Sequence, residues 1–408
     1  MQKHCPEPSF ERIIARKGGY QVMIYLDHSA TTKVDEEVMD TFVRANNNFW
    51  GNPSSLHNFG ALAEQVVIRS SRQILDLLNA KEHQVIFTGG ATESNNLAIK
   101  GLLSIKGLLS IKGLTSSHIS GHIITTGIEH PSVYEVCREL EKKGLRISYL
   151  DVTQPAYDIV RQLEQMIEKD TFLVSCMHVN SEMGLVLPIK EMGEVIARYP
   201  RVKFHVDAVQ SVGKLPVDME LAKIDLLSAS AHKIHGIKGV GCLISRRGIH
   251  LEPQIAGGGQ MDGVRSGTVN VAGCAMLAKA MRLVVEGQAD HFKHVQNLFD
   301  YTVKQLGKIE GVRVNSMFDT QSPYIVNFCV DGVRGETVVH ALEGHEVYIS
   351  AKSACSSKSK KASYVMLALG FDEWTATESL RASFAHDTTL EEIDKFLEAL
   401  CSEVKRLR

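Results

Sequence analysis

Between residues 84 and 245, short and nearly uninterrupted apolar runs alternate with segments of helical period, and this alternation narrows the possible folds most. "QVIFT" (84–88) precedes the helical pattern "ESNNLAIKGLL", "HIITTG" (122–127) precedes "PSVYEVCRELEKKG", and "TFLVSCMHV" (171–179) precedes "IKEMGEVIARY". "KFHVDA" (203–208), "IDLLSAS" (224–230) and "GVGCLIS" (239–245) then follow at short spacing. Strands that are apolar on both faces need cover on both, which a largely parallel sheet clothed by helices provides. From about residue 285 the texture changes. A long polar helix, "HFKHVQNLFDYTVKQLGKI", leads to "YIVNFCV", "ETVVHALEG", "SLRASFA" and a last helix that opens on a capping box from Thr389 to Glu392. The expected class is therefore α/β, with a large unit followed by a smaller α+β unit.

Bulk properties exclude several functions. With 408 residues, 44% hydrophobic and 23% charged, the chain is long enough for a large domain plus a smaller one. A formal net charge of -2 gives no electrostatic case for binding nucleic acid or an anionic membrane. Eight cysteines occur without CxxC spacing, so the reading is reduced cytosolic thiols and neither a disulfide framework nor a zinc site. No apolar run is long enough to span a membrane. Residues 1–22 have no apolar core like that of a secretory signal, and Glu7 and Glu11 argue against an amphipathic targeting segment. They read as an N-terminal extension, because Met23 directly precedes the first strand-like run. The hexapeptide "GLLSIK" at 101–106 recurs at 107–112; a unit copied once is too short for a solenoid and reads as a local duplication in a loop.

Chemistry concentrates at strand ends. In "SASAHKIHGIKG" (228–239), Lys233 follows a β-rich run, where burial is costly unless the amine is paired or used. By itself it reads as a lysine snorkelling to solvent; the sharper reading is a Schiff-base lysine. "FTGGATESNN" sets two glycines and Thr92 between a strand and a helix, where free backbone N–H groups cradle phosphate. "FHVDAVQS" ends a strand with Asp207 and, three residues on, Gln210; the carboxylate either caps or pairs with a protonated ring nitrogen. "GIEHPS" places His130 just past a strand end, as a capping residue or as a group that stacks on a ring and moves protons. Cradle, ring-nitrogen carboxylate and Schiff-base lysine together describe pyridoxal phosphate.

These motifs, with "IYLDHSATT", "GNPSSLH", "HVDAVQSVGKLPVD", "GGGQ", "RSGTVN" and "SACSS", make the chain resemble the cysteine desulfurases, fold-type I pyridoxal-phosphate enzymes of the class V aminotransferase group. The resemblance runs from Met23 to the last helix, and the cysteine motif is that of the long-loop branch. It implies a fold-type I architecture: a pyridoxal-phosphate-binding domain over residues 41–284 with a mostly parallel seven-stranded sheet, and a small α+β domain from 23–40 and 285–408. It also implies site roles. Lys233 would hold the cofactor and take the substrate's Cα proton, Asp207 would protonate the pyridine nitrogen, and Gln210 would contact the phenolic oxygen. His130 would stack on the ring as an acid or base. Ala91, Thr92, Ser230 and His232 would hold the phosphate, joined by Thr268 from a partner subunit, which implies a homodimer. Arg381 would clamp the substrate carboxylate. Cys355 would take the sulfur as a persulfide, turning L-cysteine into L-alanine in the cytoplasm.

The sulfur would pass to an iron–sulfur scaffold or a tRNA-thiolation protein, although the chain ends at Arg408 without the extended tail that helps some relatives bind such a scaffold. Other departures are local. Ser181 stands where the family has an asparagine that bonds the phenolic oxygen. His235 and Ile237 replace a tyrosine or other residue and a proline, Met261 and Asp262 replace a glutamate and a bulky or basic residue, and Lys352 replaces a glycine. Two other readings follow: a selenocysteine lyase or another β-elimination or transamination enzyme on the same cofactor, and a weakened paralogue serving as a dimeric sulfur relay. The serines and alanines around Cys355 would let its loop move, while lysines 352, 358, 360 and 361 either favour the thiolate or keep the loop soluble.

Overall fold

The computed structural model describes residues 23–104, 121–316, 318–351 and 361–408. The chain lays down β1 (Ile24–Tyr25), then β2 (His83–Thr88), β3 (His122–Thr126), β4 (Arg146–Leu150), β5 (Thr171–Met177), β6 (Lys203–Asp207), β7 (Leu226–Ser230) and β8 (Gly241–Arg246). β9 (Val312–Val314), β10 (Ile325–Val330), β11 (Val347–Tyr348), β12 (Ser350–Ala351) and β13 (Leu380–Ser383) complete the strands. Strands β2 to β8 form one sheet in the order β2-β8-β7-β6-β5-β3-β4. All run parallel except β8, which pairs antiparallel with both β2 and β7. The expected α/β class with a mostly parallel seven-stranded sheet is what the chain forms.

The two-residue period of the strands decides which helices cover which face. Val85 and Phe87 enter one core while Ile86 enters another, and the pairs Ile123/Ile124, Leu173/Val174 and Leu226/Leu227 divide in the same way. One face is closed by the helices Ala91–Lys100 and Pro131–Lys142, whose Leu97, Ile99, Val133, Val136 and Leu140 fill the smaller core. The larger core on the other face takes Ile159, Leu163, Met192, Ile196 and the apolar side of the helix Val271–Glu286. Strands apolar on both sides thus end up covered on both sides. β4 carried no signal in the sequence pattern. It is an edge strand with only Leu150 buried, and its exposed Arg146 breaks the apolar run.

The second sheet is antiparallel, β12-β13-β10-β9, and a parallel pair β1-β11 lies beside it. Its core gathers Ile24 and Leu26 with residues from Val295 to Val404. Val38, by contrast, packs into the large sheet's core, and Val365, Met366 and Ala376 return to it late in the chain. The last helix, Leu390–Leu407, starts with the expected capping box between Thr389 and Glu392. Among the described residues no helix is long and apolar enough to cross a membrane.

Candidate active site

A cavity of about 840 Å³ opens at the carboxyl ends of the parallel strands. It is lined by the turn after β2 (Gly89 to Glu93), by His130 beyond β3, Ser181 beyond β5 and Asp207 at the end of β6. Ser230 at the end of β7, Lys233 just after it, and Arg381 from β13 complete the lining. Ligand sites of open α/β sheets form in this position, because the loops that leave the strand ends are free to diverge there. Of the residues singled out in the sequence, Ala91, Thr92, His130, Ser181, Asp207, Gln210, Ser230, His232, Lys233 and Arg381 all meet in it. Thr268 lines a separate hollow with Gly89, Gly239 and Arg265. Cys355 lies outside the described residues, as do the four neighbouring positions 352–354 and 356, and most of the GLLSIK duplication.

One end of the cavity is built for an anion. Gly90 is the N-cap of the helix Ala91–Lys100 and makes no side-chain cap, so the first-turn N–H groups stay available. Its backbone (φ 146°, ψ 174°) is essentially restricted to glycine. The approach is close on its other side as well: a Cβ on Gly241 would lie 2.7 Å from the Gly90 Cα. Thr92, Ser230 and His232 add side-chain donors. Burial, reinforced by Lys233 and Lys238, pushes the His232 imidazole down to about 4, so it is neutral near pH 7 and takes part by hydrogen bonding.

The other end holds a buried relay. Asn95, fully buried in the same helix, donates from Nδ2 to Asp207 Oδ2 (2.8 Å) and to Ser132 Oγ (2.8 Å). Ser132 Oγ lies 2.8 Å from His130 Nδ1, which also accepts from the Ser132 N–H (3.2 Å). His130 is itself the N-cap of the helix Pro131–Lys142. Because Nδ1 accepts, the neutral ring carries its proton on Nε2. Burial holds the His130 pKa below its usual value, with Asp207 opposing and Lys233 assisting the shift. The Val209 N–H also donates to Asp207 Oδ1 (3.0 Å), so the carboxylate is held at both oxygens.

Lys233 follows β7 in a single 3₁₀ turn and donates from Nζ to the carbonyls of Ser29 and of Ala30 (2.8 Å for the latter). Gln210 donates to the Ser29 carbonyl (2.9 Å) and accepts from Lys214 Nζ (2.9 Å). Lys214 is buried, and burial together with Lys233 and Arg381 pulls its pKa down to about 7. Arg381 is 1% exposed, donating to the Ser181 carbonyl (2.8 Å) and to Asp27 Oδ1 (2.8 Å). Its buried Nε has no hydrogen-bond partner among the described residues. A guanidinium held by one neighbour carboxylate, with donor capacity left, suits a bidentate anion such as a carboxylate. Asn95, Ser132, Lys214 and Asp27 were missed in the sequence, where nothing distinguishes such residues until the strands are in register. The donor set fits a flat heterocycle that carries a phosphate, a protonable ring nitrogen and a group reactive toward an amine.

The chain is similar over most of its length to proteins of known family. The aminotransferase class-V family matches residues 24–396. A protein named NifS/IcsS protein homolog from Lactobacillus delbrueckii subsp. bulgaricus is 40% identical over 379 residues, 92% of this chain and 96% of that one. The cysteine desulfurase IscS of Colwellia psychrerythraea is 40% identical over 390 residues, 94% of this chain and 93% of its own. Among solved structures, a NifS-like protein superposes with a TM-score of 0.84 at 32% identity, covering 94% of this chain and 100% of that one.

Proposed function

This chain belongs to the aminotransferase class-V family, and from that membership and the donor set of its cavity we propose that it is a pyridoxal-phosphate-dependent cysteine desulfurase. One observation carries the reading: Lys233, Asp207 with its Asn95 relay, His130 and Arg381 converge on a single cavity next to a glycine-built anion cradle. When bound, pyridoxal phosphate supplies an electron sink for bonds to the substrate's α-carbon. The first-turn N–H groups at Ala91 and Thr92, with Ser230 and His232, would hold its phosphate; Asp207 would face its ring nitrogen and Lys233 would bind it covalently. Ser181 and Gln210 would lie toward its phenolic oxygen.

The chain's own groups do the rest. Arg381 orients L-cysteine by its carboxylate, and Lys233 Nζ moves the proton at Cα. His130, neutral near pH 7, exchanges a proton from Nε2. Cys355 attacks the substrate sulfur, the carbon–sulfur bond breaks with its electron pair left on carbon, and protonation there gives L-alanine. The products balance as alanine plus a Cys355 persulfide, with no outside oxidant. Chain connectivity favours Cys355 for this role. It is four residues beyond Ala351, a reach of at most about 14 Å in extended chain, and Ser350 before it pairs with Arg381 in β13. On the far side, Ser363 donates to Glu182 Oε2 (2.6 Å) and Tyr364 donates to the Glu129 carbonyl (2.5 Å), next to Ser181 and His130. Both ends of the segment are therefore tied to the cavity wall.

The persulfide would be passed in the cytoplasm to an iron–sulfur scaffold or a tRNA-thiolation protein. Purified protein is expected to release equal alanine and sulfide from L-cysteine under reductant. Cys355→Ser should lose sulfide release while keeping the yellow cofactor, and Lys233→Ala should lose the colour. Full activity in the serine variant would overturn Cys355 as the acceptor, and a colourless wild type that cannot be reconstituted would overturn the cofactor.

A further inference from the structure

Lys233 also borders a second, smaller hollow whose other walls carry an unusual density of imidazole. His28, His235, His291 and His386 all line it, and the stacked rings of His291 and His386 lie 4.4 Å apart. His386 meets His235 edge-on with ring centroids at 4.5 Å. One ligand atom from each of His235, His386 and Asp387 can be chosen so that all three lie within 4.8 Å of one another. We propose that His235, His386 and Asp387 form a binding site for a divalent transition metal of the zinc type, which clamps the turn carrying Lys233 to the segment that follows β13.

The hydrogen bonds around His235 prepare it as a ligand. Its Nδ1 lies 3.1 Å from the Lys33 carbonyl, which can only accept, so Nδ1 carries the proton and Nε2 presents its lone pair. A metal-bound imidazole is typically oriented in this manner, with its second nitrogen donating to a carbonyl or carboxylate. The ring is buried and its backbone lies in the left-handed region (φ 60°), uncommon for a residue other than glycine. Two bonds hold it: the His235 N–H donates to Thr32 Oγ1 (2.8 Å) and the Asp35 N–H donates to the His235 carbonyl (3.0 Å). The segment beyond β13 is fixed as well, because His294 Nε2 donates to the Thr388 carbonyl (2.7 Å).

A second polar group points to the same place. His28 is 6% exposed and its Nδ1 has no hydrogen-bond partner among the described residues, although it lines the hollow with His235 and His386. His28 thus adds a further imidazole to the wall beside the three groups that approach within 4.8 Å. Zinc–nitrogen bonds of about 2.0–2.1 Å set tetrahedral ligand atoms roughly 3.4 Å apart. His386 and Asp387, half-buried and exposed, are the members of the set with room to rotate toward such spacing. Lys214 borders the hollow but is held by Gln210 Oε1 and stands over the Tyr324 ring (5.7 Å), and Lys233 is held by the Ser29 and Ala30 carbonyls. Two imidazoles and one carboxylate choose zinc, cobalt or nickel over magnesium or calcium.

The test uses untagged holoenzyme carrying Cys355→Ser, so that the sulfur-accepting thiol cannot bind the metal, in the absence of L-cysteine. Equilibrium dialysis against Zn²⁺ is expected to give one ion per chain, and Co²⁺ to give visible absorption bands of a low-coordinate nitrogen-rich site. His386→Ala and Asp387→Asn, both at sites that are not buried, should each weaken binding at least tenfold, on the order of a lost ligand or its support. His345→Ala, a histidine that does not line the hollow and pairs with Glu403, should leave it unchanged. Zn²⁺ should also raise the melting temperature of the parent and fail to do so in the His386→Ala/Asp387→Ala double variant. No zinc uptake by the parent would overturn the site, as would unchanged uptake in the double variant or equal competition by Mg²⁺. None of these readouts depends on desulfurase activity.

Discussion

A single amide links Asp207, which would face the ring nitrogen, to His130, which would exchange a proton. Asn95 Nδ2 donates one proton to Asp207 and the other to Ser132, which in turn abuts His130 Nδ1. Asp207, His130 and Lys233 were legible in the sequence because each sits where an apolar run ends, and strand ends are where such folds place chemistry. Asn95 was not. It lies inside a helix, and only the packing of that helix across β6 gives its amide two partners. Asn95→Leu keeps the volume and removes both hydrogen bonds, one of them to a charged group worth about 1.5–3 kcal/mol. The expected result is a fall in kcat of about tenfold to a hundredfold, with little change in KM and with cofactor content per chain preserved. Steady-state kinetics on spectroscopically titrated protein decides this; a kcat within twofold of wild type would show that Asp207 and His130 need no such support.

At the scale of elements, two histidines act as cross-ties of the large sheet. His205 in β6 lies 2.8 Å from Ser175 Oγ in β5 and 3.0 Å from Ser228 Oγ in β7. His122 in β3 does the same between Thr171 Oγ1 (2.7 Å) and Ser148 Oγ (2.8 Å) of its two neighbours. The strands themselves were readable from their apolar runs, but a polar residue inside such a run gives no hint of its partners until the strand order is known. β4 escaped for the opposite reason: an edge strand needs no apolar alternation to be held. Burial drives the His205 pKa down to about 3. Its folded pKa is thus below the unfolded value near 6.5, so its contribution to stability is complete above pH 6.5 and is lost as pH falls toward 3. The expected slope is about 1.4 kcal/mol per pH unit for this one proton. Glu129 works the other way. It is buried, its pKa is raised to about 8, and it contributes most below pH 4.5 and loses that contribution as pH rises through 8. Urea unfolding followed from pH 7 to pH 5 should show His205→Gln with a shallower loss than wild type, by close to one proton. Parallel slopes would mean that His205 titrates alike in the folded and unfolded states.

For the whole molecule, the surface that remains apolar is informative. Met39, Val43, Trp50, Leu56, Leu62 and Ile68 are all exposed, and all fall within or between the helices Glu36–Asn48 and Asn58–Leu77. The same helices pack on Val271–Glu286, and among the described residues nothing covers these exposed side chains. A net charge of -2 gives no repulsion that would keep two copies apart. This face fits the proposed homodimer, which the sequence suggested only through Thr268. Exposed Thr268 lines its hollow with Gly89, one residue from the Gly90 cradle, so a copy docked nearby could complete the anion site of its neighbour. Wild-type protein is expected to sediment near twice the 45.1 kDa chain mass. Leu56→Asp with Leu62→Asp places two charges on the face without touching any of the three cores, and should give folded single chains by circular dichroism. If Thr268 of the partner subunit helps to hold the phosphate, those single chains should also lose pyridoxal phosphate on dialysis, while Thr268→Ala should weaken its retention without dissociating the dimer. Wild-type protein at the mass of one chain, or a double variant that still sediments as two, would remove this face as the dimer contact.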